Sequence, residues 1–439
     1  MSTPTTGSST EATPRPPSED HPEEQTKHGP SGQAALLRQV ASSPAVVGLL
    51  AVLTALILSS ILILAADSEV RYTATYLLNR PGDFLHATAS TLSEAYSSLL
   101  RGAVFDWRAT TGVRMIRPIT DTLTNATPLI IAGLGMAVAF RAGLFNIGGQ
   151  GQMILGAITA CYVGIAWNLP PVAHLLVAVV GAALGGLVWG GIAGVLKART
   201  GANEVIVTIM LNSIAAHLLS QVLSLKAFNG EGETGNRKSL TVADTAQYPS
   251  LAGDSFRLHA GFLLALLVAV AVWWLMERSR LGFQLRATGL NADAARTAGM
   301  SVPWVTSLVM MISGALCGLA ATAPVLGTQK SMDESVVGTI GFDAITVALL
   351  GRSRPLGTVL AGLLFGALRA GGTAMQAAPG THIKIVLVLQ STIVLFIAAP
   401  PLIRAIFRLP ERREPLGATS PSPTSVQAAA PAAPAAKEA

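Results

Sequence analysis

VAHLLVAVVGAALGGLVWGGIAGVL, residues 172–196, contains no Asp, Glu, Lys or Arg. At 1.5 Å per residue a helix of this length covers the ~30 Å hydrocarbon core of a bilayer. Its glycines, Gly181, Gly185, Gly186, Gly190, Gly191 and Gly194, include small-xxx-small pairs such as Gly181–Gly185 and Gly186–Gly190. Lipid tails are as apolar as leucine, so membrane helices associate through close backbone approach, which such spacing permits. The stretch therefore reads as a membrane helix packed tightly against a neighbour, inside one bundle or across a dimer.

Outward from it, similar apolar runs cover 45–66, 120–140, 149–167, 204–224, 260–277, 303–327, 338–350, 355–375 and 384–407. The segment 338–350 is too short to span comfortably and reads as re-entrant or broken. The fold class expected is an all-α integral membrane protein with about ten apolar segments, nine or ten of them spanning or re-entrant helices. Polar connections at 67–119 and 225–259 separate the first span from the second and the fifth from the sixth, and Asn168-Leu-Pro-Pro171 reads as a tight turn. The composition agrees: 12% of the 439 residues are charged and the mean hydropathy is +0.52, whereas soluble domains carry about 25% charged residues. Residues 1–43, with an acidic cluster at Glu19, Asp20, Glu23 and Glu24, and the Pro/Ala-rich residues 409–439 bury too little apolar surface to order. They read as disordered cytoplasmic tails flanking a membrane domain at 44–408.

Charge placement sets the orientation. With the N-terminus inside, the inner short loops hold Arg141; Lys197 and Arg199; Arg278, Arg280, Arg286 and Arg296; Arg352 and Arg354; then Arg404, Arg408, Arg412 and Arg413. The outer short loops, 168–171, 328–337 and 376–383, hold Lys330 alone. Both termini are therefore expected in the cytoplasm of a multi-pass cell-membrane protein. Cys161 and Cys317 lie in apolar runs as small core residues, and no Cys/His spacing suits a metal. No basic patch interleaves with aromatics, so the bilayer, not nucleic acid, is the expected surroundings.

Three segments carry chemistry. Arg141-Ala-Gly-Leu-Phe-Asn-Ile-Gly-Gly-Gln-Gly-Gln152 places glycines and amides between two spans. Such a break frees backbone groups at membrane depth and commonly lines a substrate path, which makes Phe145, Asn146, Gln150 and Gln152 candidates. A glycine-rich turn with amide caps is the other reading. In the span from Glu204, Thr208 and Asn212 share a face, opposite Ser213, His217, Ser220 and Ser224. Thr208 and Asn212 either line the path or bond between helices. Asp343, within GFDAITVALLGRSRPLG (341–357), is an acid in an apolar segment and needs a partner, a wet cavity or a helix-end role. Glu204 and Asp343 are the intramembrane acids of this reading. Between Glu277 and Val302, Asn291 reads as an N-cap, Asp293 suits the positive helix end and Gly299 a C′ position. A two-turn helix across Ala292, Asp293, Ala294, Ala295, Arg296, Thr297 and Ala298 follows, with Ala292, Ala294, Ala295 and Ala298 as a small face. Docking element and plain surface turn both fit it.

GLFNIGGQGQMILGA (143–157), GLNADAARTAGM (289–300) and GFDAITVALLGRSRPLG (341–357), in this order, resemble the permease subunits of ABC importers of the branched-chain amino acid and simple sugar class. The likeness spans about residues 40–408 and is nearest to nucleoside permeases of the guanosine and purine type. It implies cytoplasmic ABC ATPase subunits, a second related permease or a second copy of this chain, and an extracytoplasmic lipoprotein or solute-binding protein. It also implies that 289–300 is the ATPase-coupling helix. No Gly-Lys-Ser or Gly-Lys-Thr occurs, so there is no Walker A cradle, and ATP is expected to be used by the partner with no cofactor bound here. Simple sugars or branched-chain amino acids are the alternative cargo, and a self-sufficient secondary transporter is the rival from another class. A cysteine replacing Arg286 should react with an impermeant thiol reagent only from inside, and one replacing Gly232 only from outside. Labelling of both from one face would overturn the topology.

Overall fold

The computed structural model describes residues 44–229, 237–253, 255–377, 391–392, 395–396 and 400–408. Both expected tails, Gly232 and much of the segment 384–407 lie outside the described residues. The described part belongs almost entirely to one compact unit, Val47–Phe407.

The helices run α1 (Pro44–Ala66), α2 (Ser68–Ala74), α3 (Pro81–Ala103), α4 (Gly112–Arg141), α5 (Gly149–Ala166), α6 (Pro171–Thr200) and α7 (Glu204–Leu223). After a long connection come α8 (Gly261–Arg278), α9 (Arg280–Leu290), α10 (Ala292–Thr297) and α11 (Val302–Ala320), which continues as a π-helical stretch over Ala323–Thr328. The chain closes with α12 (Ile340–Leu350), α13 (Pro355–Ala377) and α14 (Pro400–Ile406). No strand forms among the described residues beyond two isolated bridges, Lys238–Asp333 and Ser250–His259.

Six of these helices, α4, α6, α7, α8, α11 and α13, are long and apolar enough to cross a membrane, and α1 with α2, bent by 78°, would make seven. The protein is thus helical and multi-pass. Two departures from the sequence reading have physical causes. The connection 67–119 is largely helical, holding α2, α3 and the first turns of α4; polar residues in every turn of α3 hide it from a search for apolar runs. The connection 225–259 is folded too. Its Val242 packs on Gly164, Ser239 Oγ accepts from the Met332 amide at 2.7 Å, and Tyr248 bonds Thr322 at 2.8 Å. His174, wholly buried, ties the same cap to α5 through Thr245 and the Val163 carbonyl. Burial pushes the imidazole of His259, which stacks on Tyr248, down to about 4, so it stays neutral in this cap.

At the centre, α4 is buried without interruption from Ala126 to Ala139 and packs against α13, α11, α12 and α8. Beside it, α6 and α11 form the most extensive helix pair in the molecule. The glycines of 172–196 explain this: a Cβ on Gly186 would fall on the Gly314 carbonyl oxygen, and one on Gly314 would fall on the Gly186 carbonyl oxygen. A Cβ on Gly190 would lie 3.0 Å from the Gly314 Cα, and one on Gly194 3.0 Å from the Ser307 Cα. On the adjacent face Gly185 rests on Thr159 of α5, whose own Gly156 abuts Gly318. The small-residue spacing therefore serves packing within this chain, with three helices in backbone contact.

A side chain inserted in that seam must push two backbones apart, and overpacking of this kind costs ~1–3 kcal/mol or more. Gly314→Val should lower the thermal unfolding midpoint of the detergent-solubilised chain by several degrees. Gly82→Ala, whose Cβ would meet nothing within 4 Å, is the neutral control.

Candidate functional site

The site begins where α4 ends. Arg141 donates to the Ser353 carbonyl at 3.0 Å and pairs with Glu277 at 2.8 Å, so one guanidinium fastens the ends of α4, α8 and the turn before α13. Gly143, at φ +72°, turns the chain where an L side chain is strained, and its backbone lies against Gly289 of α9. The chain then re-enters the bundle, and α5 starts inside it. The Asn212 side chain fixes that start, accepting from the Gly151 amide at 2.8 Å and donating to the Ile147 carbonyl at 2.9 Å. Asn212 lies about two turns into α7, which puts the start of α5 ~12 Å below the α10 face of the bundle. The glycine- and amide-rich stretch is therefore a helix break at depth.

A second half-helix meets it. α12 has 11 residues, about 16 Å at the standard rise, roughly half a hydrocarbon core. Its first turn abuts that of α5: a Cβ on Gly341 would lie 2.5 Å from the Gln150 amide nitrogen. The two helices run apart from this junction, so two positive helix ends converge there. The Gln150 side chain donates to the Gly338 carbonyl at 2.7 Å, while its Oε1 is buried without a partner. Asp343, in the first turn of α12, accepts from Arg369 of α13 at 2.9 Å and from Thr339 at 3.0 Å. Phe342 and Thr339 are exposed within the chain.

The sequence candidates divide here into two groups. Asn146 and Gln152 are buried and bond one another, and Asn146 also donates to Ser313 of α11 at 2.9 Å and accepts from the Gly148 amide at 2.8 Å. Their hydrogen-bonding capacity is spent inside the protein. Thr208 bonds the Glu204 carbonyl at 2.7 Å and, like Asn212, faces the break. Phe145 stacks on Phe140 at 4.9 Å, at the α10 end of the break. Gln150 and Asp343 alone among the seven sit at the junction. Glu204, taken above as an intramembrane acid, sits in the first turn of α7 and pairs with Lys197 in the last turn of α6.

Next to the junction, on the side away from α10, lies a cavity of about 250 Å³ lined by Asp121, Asn125, Arg257, Gln329, Gly338 and Arg369. The sequence reading did not single out these side chains. Asp121 lies inside the expected span 120–140, and Arg369 inside 355–375; an intramembrane cation was as strong a signal as the acid it pairs with. Asn125, Arg257 and Gln329 carried no comparable mark.

On the α10 face the caps form as expected. Asn291 accepts from the amides of Asp293 at 3.0 Å and Ala294 at 2.9 Å, Asp293 pairs with Arg296, and Gly299 takes φ +83°. One detail corrects the small-face reading. Ala295 is buried, with 3% exposure, turned toward the bundle, while Ala292, Asp293, Ala294, Arg296, Thr297 and Ala298 are exposed. Phe283 and Leu290 of α9 are exposed beside them at 58% and 77%.

Residues 119–398 match the family described as branched-chain amino acid transport system / permease component. The chain belongs to this family. It is 39% identical over 289 residues to the guanosine ABC transporter permease protein NupP of Bacillus subtilis (strain 168), covering 66% of this chain and 83% of that one. It is 37% identical to the glucose ABC transporter permease protein TsgB13 of Haloferax volcanii, covering 64% of this chain and 75% of that one. The nucleoside ABC transporter permease protein NupB of Lactococcus lactis subsp. cremoris is 34% identical, with 64% and 79% covered. The break, the capped α10 and the α12 junction of this ABC permease all lie within the matched residues, whereas α1, α2, α3 and the start of α4 precede them.

If the amide pair is scaffold, Asn146→Ala strands the Gly148 amide, Gln152 and Ser313 in a dry interior, at ~1–3 kcal/mol. The expected result is a thermal midpoint several degrees lower than wild type. Gln150→Ala, which breaks one bond at the open junction, should leave the midpoint nearly unchanged. Equal effects would remove the distinction between the two groups.

Proposed function

We propose that this ABC permease is the membrane-spanning subunit of an ATP-driven importer, that its solute is a nucleoside, and that ATP is hydrolysed by separate cytoplasmic ATPase subunits. The observation that carries the reading is α10. It is a capped helix of 6 residues displaying every side chain but Ala295 on the face bearing Arg141, Arg199, Arg286 and Arg352. The apolar side chains of Phe283 and Leu290 beside it give a partner groove something to bury. In this reading that face is cytoplasmic and the cell membrane is the location. An extracytoplasmic binding protein releases solute to the opposite face, and a second related permease or a second copy completes the pore.

The path then runs through the cavity of Asp121, Asn125 and Arg369 to the junction of α5 and α12. Gln150 and Asp343 face solute there, while Asn146, Gln152, Thr208 and Asn212 hold the break and Phe145 closes its α10 end. Two positive helix ends and amide groups suit the oxygen and ring-nitrogen acceptors of a nucleoside. The exposed polar stripe of Ser213, His217 and Ser224 on α7 has no place against lipid, and supports a permease–permease seam along that helix.

A sugar is the second reading, favoured by the glucose-named relative at 37% identity. Uptake of labelled guanosine and glucose by cells expressing the complete system separates them: guanosine should be taken up and glucose should not. Ala294→Trp adds bulk to the exposed face of α10, and should leave a stable permease whose ATPase is lost or no longer stimulated. Wild-type ATPase retention and uptake in both Ala294→Trp and Ala298→Trp would remove the coupling role.

A further inference from the structure

A second polar cavity, of about 730 Å³, opens where the end of α3, the turn 104–111, the first turns of α4 and the end of α13 meet. It lies on the face opposite α10, and its walls come mostly from residues that precede the family match at 119. Four guanidinium groups line it, Arg101, Arg108, Arg114 and Arg117, with the acids Glu94, Asp106 and Asp121. Asp106 engages Arg101 at 3.8 Å and Asp121 engages Arg117 at 3.7 Å. Arg108 and Arg114 have no ion-pair partner among the described residues, and the Arg101 Nε is buried without a hydrogen-bond acceptor. Arg101 also donates to Ser98 at 3.0 Å, Glu94 has no ion-pair partner among the described residues and the Asp121 Oδ1 is buried without a donor. The four guanidinium groups thus outnumber the three acids by one charge, with Arg108 and Arg114 the uncommitted cations.

Its rim is apolar. Val104, Phe105 and Trp107 of the turn, and Val113, Ile116 and Ile119 of α4, are each between 41% and 54% exposed. Arg114 and Arg117 alternate with those apolar positions along α4. Exposed Trp and Phe beside arginines, at the end of a membrane helix, mark the water–lipid boundary. Arg forks match phosphate oxygens in pairs. Free phosphate would use the donors alone, but a phospholipid uses the donors and these exposed apolar side chains together.

We propose that this cavity binds the phosphate headgroup of an anionic phospholipid, with Arg108 and Arg114 as its ligands. The acyl chains lie along Val113, Ile116 and Ile119. Bound lipid then braces α3 against α4 and α13.

The test uses the full chain purified in detergent and reconstituted into nanodiscs. Native mass spectrometry after delipidation should show retained phosphatidylglycerol and no retained phosphatidylcholine. Phosphatidylglycerol nanodiscs should raise the thermal midpoint by several degrees over phosphatidylcholine nanodiscs, and inorganic phosphate at millimolar concentration should not reproduce the shift. Arg108→Gln/Arg114→Gln should reduce lipid retention at least tenfold and abolish the shift, with the midpoint in phosphatidylcholine unchanged. Arg108→Lys/Arg114→Lys should restore part of it. Equal retention of both lipids, or an unaffected double glutamine variant, overturns the proposal. So does an equal shift with inorganic phosphate, which would make this a site for soluble anions. Loss of binding-protein affinity in the variant with lipid retention intact would overturn it in favour of a protein-docking surface.

Discussion

Three helices touch backbone to backbone where Gly186 and Gly190 of α6 meet Gly314 and Gly318 of α11, and Gly156 of α5 joins them. In a medium with no hydrophobic drive between helices, this contact gains dispersion over many atom pairs at the shortest separation a helix allows. The rest of the bundle is positioned from it. Ser313, one residue from Gly314, accepts from the Asn146 side chain at 2.9 Å. A side chain that shifts α11 at this seam would therefore disturb a bond of the amide that holds the re-entrant stretch.

That amide illustrates a second constraint. Breaking α5 inside the bundle leaves polar backbone where water cannot satisfy it, so nearby side chains must. Asn146 and Asn212 meet this demand, and Gln152 bonds the Asn146 side chain that does so, which takes all three out of competition for solute. Polar groups not claimed in this way, the Gln150 carbonyl and the Asp343–Arg369 pair, gather at one side, next to the cavity. The division between scaffold and site thus follows from hydrogen-bond accounting within one short stretch of chain.

The sequence showed the elements whose cause is local. The break was visible in Gly148, Gly149 and Gly151 with their flanking amides, and α10 in Asn291 and Gly299, because caps and glycine turns act over a few residues. What stayed hidden depends on distant partners. The inward turn of Ala295 is set by how α9 and α11 hold a two-turn helix, which no spacing within 291–299 encodes. The Arg369–Asp343 pair joins α13 to α12, and each residue taken singly reads as an anomaly. α3 leaves little apolar signal because its apolar residues are diluted by serines and threonines. The cap over Gly164 and His174 shows in the sequence only as a polar connection because its order comes from docking.

Gly143 and Gly289 have a mechanical meaning. Where two elements touch through side chains, rotamer changes absorb small displacements, and motion at one end fades before the other. Here the turn that opens the break and the last turn of α9, next to α10, meet with no side chain between them. Displacement of the last turn of α9 would therefore reach residue 143 through backbone, not through side chains. The Arg141 clamp to Glu277 and Ser353 keeps the neighbouring helix ends from yielding. The residues that follow, 144–148, are held through Gly148 by Asn146 and through Ile147 by Asn212, so the turn at Gly143 and the start of α5 are tied to one another.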